Sequence, residues 1–200
     1  MNRRRFIKTG GLAFAGAVAA PSFAGDLTRK GNATSVSSAM THFGVSAGDI
    51  RKTLTTALEK GGHYADLFFE HTFNNSVGLQ DGAVNRSNSN IDFGMGVRVL
   101  SGDQTGYAYI ENITLDEMLK AARTAARIAN DSAKTKPVSL TERPITTNYY
   151  SISTPWEGII LKEKTPFLQK LNDKIFALDK RVQKVSASLN DSTSHILFCN

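Results

Sequence analysis

The sequence predicts an α+β fold: an antiparallel meander sheet of four or more strands, packed by helices at about 46–60, 114–130 and 165–180. Three observations carry this. Ile50, Leu54, Ala57 and Leu58 recur at helical spacing, whereas from Ala65 the apolar period drops to two. The turns that follow are too short for parallel crossovers, which need a dozen or more residues. The stripe Leu115, Met118, Leu119, Ala122, Ala125 and Ala129 then gives a helix suited to covering a sheet.

In chain order, residues 25–45 hold Ser, Thr, Gly and Asn and read as a flexible connector. Ser46 and Asp49 have capping spacing for the first helix, and Gly61-Gly62 ends it. Ala65, Leu67, Phe69 and His71 point to one face of a strand; Asp66, Phe68 and Glu70 point to the other. Asp81-Gly82 is a hairpin signal between Val77/Leu79 and Val84. Ile91–Leu100 is a further strand, and Gly102–Gly106 loops back into Tyr107–Ile110, for a meander of four or five strands in all. Thr114 with Glu117 reads as a capping box. Residues 131–162, with Pro137, Pro144 and Pro155, form a connecting segment with one short strand. Thr165-Pro166 places Pro at the first position of a third helix, with Phe167, Leu168, Leu171, Ile175 and Leu178 facing inward. Val185–Asn190 and Ile196–Cys199 read as two more strands, and the region 163–200 as the start of a longer, truncated unit.

The N-terminus has its own logic. Arg3, Arg4, Phe6 and Lys8 fit the twin-arginine export pattern, a Gly/Ala-rich apolar stretch follows, and cleavage is expected after Ala24. A retained interfacial anchor or an ordinary secretory signal is the competing reading. The apolar stretch is too short for a stable membrane span, which takes about 20 residues. These 24 residues hold four basic side chains and no acid, so the net charge of +6 falls to +2 beyond them. No dense Lys/Arg run remains, which argues against a nucleic-acid partner. The expected location is periplasmic or cell-envelope. The single Cys199 cannot form an internal disulfide.

No catalytic, cofactor or metal-ligating set emerges. His63 and His71 stand eight apart on a strand, not at the i, i+4 helical spacing of zinc ligands. Asp66 and Glu70 share a face but lie ~13 Å apart, too far for an acid/base pair; an edge-of-sheet structural role is expected. Gly94-Met95-Gly96 lacks the third Gly and the following helix of a dinucleotide loop; a bulge or a close backbone approach explains it better. Gly102–Gly106 lacks the Lys-Ser/Thr tail of a phosphate loop and reads as a turn. Tyr107 and Tyr109, with Tyr149, Tyr150 and Trp156, are candidates for a peptide groove or ordinary half-buried residues. Cys199 reads as a structural thiol.

The order and spacing of Tyr64-Ala65-Asp66-Leu67, Phe69-Glu70-His71, Asp81-Gly82, Gly94-Met95-Gly96-Val97-Arg98 and Thr105-Gly106-Tyr107-Ala108-Tyr109 resemble the N-terminal region of TldD/PmbA metallopeptidases, on the TldD side. The resemblance covers residues 46–130 best. It implies zinc in the complete enzyme, held by an H-E-x-x-x-H helix that this chain lacks. It also implies an extended polypeptide substrate and a homo- or hetero-oligomer with a TldD/PmbA-type subunit. The expected function is the scaffold and substrate-cleft region of an exported zinc metallopeptidase, inactive by itself. A non-catalytic PmbA-like peptide-binding or partner subunit and a stand-alone periplasmic structural domain are the alternatives.

Overall fold

In the computed structural model, residues 35–129, 140–143 and 154–200 are described. The leader residues Arg3, Arg4, Phe6, Lys8 and Ala24, and most of the connecting segment with Tyr149 and Tyr150, lie outside them. The elements are α1 (Val36–Phe43), α2 (Ala47–Leu58), β1 (Tyr64–Gln80), β2 (Ala83–Ser101), β3 (Gln104–Ile110), α3 (Leu115–Ile128), a 3₁₀ turn at Trp156–Gly158, α4 (Leu161–Leu178) and β4 (Ser186–Cys199). The four strands form one antiparallel sheet in the order β3-β2-β1-β4. This is the α+β class expected.

The sheet has four strands, within the expected count, but residues 64–110 hold three strands, two of them long, rather than four or five short ones. β1 and β2 are one continuous hairpin, because Asp81 and Gly82 both take positive φ (49° and 83°), as a twist-matched two-residue turn requires. The Asp81 carboxylate accepts from the Val185 N–H, and the Asp81 N–H donates to the Val185 carbonyl, both at 2.9 Å. The turn thus holds the start of β4, which runs unbroken through both short strands expected at the chain's end. β4 lies against β1, so β1 is central rather than an edge.

One face of the sheet, here the inner face, carries the helices. At its first end Ala65, Leu67, Phe69, Met95, Val97 and Val99 pack under Ile50, Leu54, Ala57 and Leu58 of α2 and Met118, Ala121, Ala122 and Ala125 of α3. The Ser46–Asp49 capping box is present, both backbone N–H groups being satisfied at 3.1 Å. Only half of the second box forms. Thr114 Oγ1 accepts from Glu117 N at 3.4 Å, but the Glu117 carboxylate turns outward to Lys120. At the opposite end Val77 and Leu79 meet Leu168 of α4, flanked by Ala187 and Leu189.

Two further corrections concern helices. Half of the expected connector is ordered: α1 is capped by Ser35, closes on Gly44 at φ 67°, and sinks Phe43 into the core. Residues 25–34 lie outside the described residues. α4 begins a turn before Thr165, with the Glu163 carboxylate accepting the Ile160 N–H, so Pro166 sits inside the helix. Of the side chains expected inward, only Leu168 is buried. The buried positions of α4 are Lys164, Leu168 and Asn172, whereas Phe167, Leu171 and Leu178 are exposed. No helix among the described residues is long and apolar enough to cross a membrane.

Candidate functional site

Among the described residues no helix packs on the outer face of the sheet, and the large apolar side chains it carries are exposed. Period-two alternation puts Asp66, Phe68 and Glu70 of β1 there, with Gly94, Gly96 and Arg98 of β2. Tyr107 and Tyr109 of β3 and Ile196 and Phe198 of β4 extend it to both edges. Tyr109, Gly96, Phe68 and Phe198 occupy one row across all four strands. At about 4.8 Å per strand the row spans ~14 Å. Phe68, Tyr107, Tyr109, Ile196 and Phe198 are all exposed.

The two glycines explain how the tyrosines lie. A Cβ on Gly96 would stand 2.6 Å from the Tyr107 hydroxyl, and one on Gly94 2.5 Å from that of Tyr109. Each ring therefore leans diagonally onto a glycine, and close approach, not a bulge, is what Gly94 and Gly96 provide. The register shift of the hairpin falls elsewhere, between Gly78 and Leu79. Tyr109 donates from its hydroxyl to the Phe93 carbonyl at 3.1 Å. Partial burial, with Glu111, Asp92 and Glu70 nearby, holds its phenol above the ordinary range.

Beside the aromatics lies an ion pair. Arg98 donates through Nε (2.9 Å) and Nη2 (2.6 Å) to Asp66 Oδ2, and Asp66 is only 4% exposed. The hydrogen bond and charge of Asp66 raise the guanidinium's pKa further. Glu70 accepts from Thr72 Oγ1 at 2.8 Å. The arrangement provides an aromatic and aliphatic platform with a fixed charge pair, suited to packing against another chain. It contains no nucleophile with an adjacent base.

The structure separates the other candidates. His63 accepts from the Gly102 N–H at the β2–β3 turn, His71 points to the inner face, and Asp66 and Glu70 point outward. Among the described residues no three or more His, Cys, Asp or Glu side chains form a group able to hold a metal ion. Cys199 lies against the inner core, where burial pushes its thiol up to about 11, far from a reactive thiolate. Trp156 is not in the platform: it stands near Lys164 Nζ, 5.9 Å from its ring centre, on the helix side. Thus Tyr107 and Tyr109 share a surface, and Trp156 does not join them. Phe68, Ile196 and Phe198 complete that surface; outward parity from Asp66 onward signals Phe68, but nothing local places β4 beside it.

The hairpin, its third strand and α3 make up the segment that resembles known proteins. Residues 65–129 match the family described as PmbA/TldA metallopeptidase domain 1. The chain is 34% identical over 134 residues to a protein named Metalloprotease TldD homolog from Buchnera aphidicola subsp. Acyrthosiphon pisum, covering 67% of this chain and 28% of that one. A protein of the same name from Haemophilus influenzae is 31% identical over 137 residues, with the same coverage. Together these support placing the chain in the TldD/PmbA family. The chain spans about 28% of the length of these relatives. Among solved structures, a Bacteroides thetaiotaomicron protein described as a candidate modulator of DNA gyrase aligns with a TM-score of 0.51 at 15% identity, over 76% of this chain and 36% of that one. That likeness concerns the fold alone.

Proposed function

We infer that this chain is the N-terminal scaffold and substrate-cleft region of an exported TldD-type zinc metallopeptidase that acts on unfolded or extended polypeptides. The observation that carries the reading is the match of residues 65–129 to the first domain of that family, extended by relatives named as metalloproteases. Zinc comes from that kinship. The side chains described do not fit a zinc site, so no step of hydrolysis is assigned to them. In this reading the metal is held by residues beyond these 200, and the platform of Phe68, Tyr107, Tyr109, Ile196 and Phe198 forms a wall or a subunit contact. Pairing with a TldD/PmbA-type subunit, homo- or hetero-oligomeric, follows from the same kinship. Export to the periplasm or envelope rests on Arg3, Arg4, Phe6, Lys8 and Ala24.

The test begins with the coding DNA downstream of Asn200. An open frame carrying H-E-x-x-x-H is expected. Its product should contain stoichiometric zinc, cleave an unfolded polypeptide, and lose that activity to a chelator. A frame without the motif would shift the reading to a PmbA-like binding subunit. An immediate stop would sink the peptidase reading and leave a stand-alone domain. Recovery of the tagged product from the cytoplasm alone would remove export.

A further inference from the structure

Between its two packed ends, the inner face of the sheet holds three histidines from three separate elements. His42 sits in the last turn of α1, His71 on β1 and His195 on β4, where His71 and His195 are register partners. His42 Nε2 and His71 Nδ1 are 2.9 Å apart, a distance that demands one shared proton. The His195 ring stacks on that of His42 at 4.4 Å, and its Nε2 lies 2.9 Å from Glu157 Oε1 on the 3₁₀ turn. α1 carries no other titratable group. His71, His195 and Glu157 are the charged or titratable groups that face it among the described residues.

Counting protons shows what the cluster tolerates. A proton added to His195 is matched by Glu157. A second, taken by the His42–His71 pair, faces the His195 ring with no carboxylate left to match it. A third removes the acceptor of the His42–His71 bond and sets two N–H groups against each other. The neighbouring residue makes this consequential. Phe43 is buried, 5.6 Å from the Phe69 ring and 6.2 Å from that of Phe93, so α1 covers the apolar middle of the sheet.

We propose that His42, His71 and His195 form a pH-sensitive clasp, holding α1 on the sheet at neutral pH and releasing it on acidification to uncover Phe43, Phe69 and Phe93. The sign agrees with the electrostatics. Burial first, then the charges of His195 and His71, hold His42 below the ordinary imidazole value of 6.5, against the opposing pull of Glu157. The released form therefore binds more protons than the docked form, and docking weakens as pH falls below about 6.5.

Hydrogen exchange of the full chain, normalised for intrinsic rates and with EDTA present, tests this at pH 7.5 and 5.0. The amides of residues 36–43 should exchange roughly three- to tenfold faster at pH 5.0 relative to those of α2, as half-exposed like charges at this spacing allow. In His42→Gln the ratio should not change with pH. If that variant does not fold, His195→Gln should move the release to lower pH. A constant ratio in the native chain, an equal rise in His42→Gln, an unmoved release in His195→Gln, or loss of protection in α1 and α2 together would each overturn the clasp.

Discussion

The two ends of the inner sheet face are stabilised by different physics. At the first end, α2 and α3 press a continuous apolar layer onto Leu67, Phe69, Met95, Val97 and Val99, all fully buried. At the other end, among the described residues, α4 meets a smaller apolar group, Val77 and Leu79 flanked by Ala187 and Leu189, and its second anchor is ionic. Lys164 Nζ lies 2.6 Å from Asp191 Oδ2, with side-chain exposures of 6% and 2%. Apolar packing stabilises in proportion to the area removed from water. A buried ion pair returns little net stability, because desolvating both charges offsets their attraction, yet it penalises loss of either partner. The layer beneath α2 and α3 should therefore answer chiefly to a change of shape. The second end should be sensitive to a change of charge.

The largest expected effect breaks the first end by shape alone. α3 crosses β3 at Gly106, where an added Cβ would run into the backbone carbonyl of Ala125. That atom belongs to a helix backbone and cannot rotate away. Gly106→Val should cost about 4 kcal/mol or more in urea unfolding, beyond the 1–3 kcal/mol usual for overpacking, because the whole helix must lift. A cost under 1 kcal/mol would show that α3 slides freely over β3, contrary to the tight layer described.

The second end answers to charge. Asp191→Ala leaves Lys164 buried without a partner and should destabilise by about 3–5 kcal/mol. Replacing both partners, Lys164→Met with Asp191→Leu, should recover most of that loss. Asp191 also accepts from Asn75 Nδ2 at 2.9 Å, so recovery should stop short of the native value. The same urea titration, followed by circular dichroism, checks the pair. Equal stability of Asp191→Ala and the native chain would mean that Lys164 reaches water, and the contrast between the ends would fail.

The same contrast explains what could be read from the residues alone. The first end is built from neighbours in sequence: Ser46–Asp49, the alternation from Ala65 and the stripe of α3 each state their structure within about fifteen residues. The second end is not local. β4 pairs with β1 across more than 100 residues, and its middle, Asn190–Ser194, is polar on both faces, so its two apolar ends read as separate strands. α4 is legible only at Leu168: Pro166 signals a first position a turn too late, and the buried side chains either side of Leu168 are Lys164 and Asn172, which no apolar pattern selects. Tyr107 and Tyr109 could be placed on one face by parity, but Ile196 and Phe198 join them only once β4 is in place. The histidines at 42, 71 and 195 follow no spacing at all; three elements must fold before they meet.

The smallest effect belongs to the face that neither end covers. Tyr107 is more than half exposed, and its ring contributes mainly by covering the backbone at Gly96. Tyr107→Ala should therefore cost only about 0.2–1 kcal/mol, the scale of one cross-strand pair. A loss of 3 kcal/mol or more, as for a core aromatic, would mean that the ring is structural and the platform is not a free surface. A small loss keeps Tyr107 available for contact. On that outcome the outer face differs from both ends in kind: its aromatics add little to stability and stay open to contact.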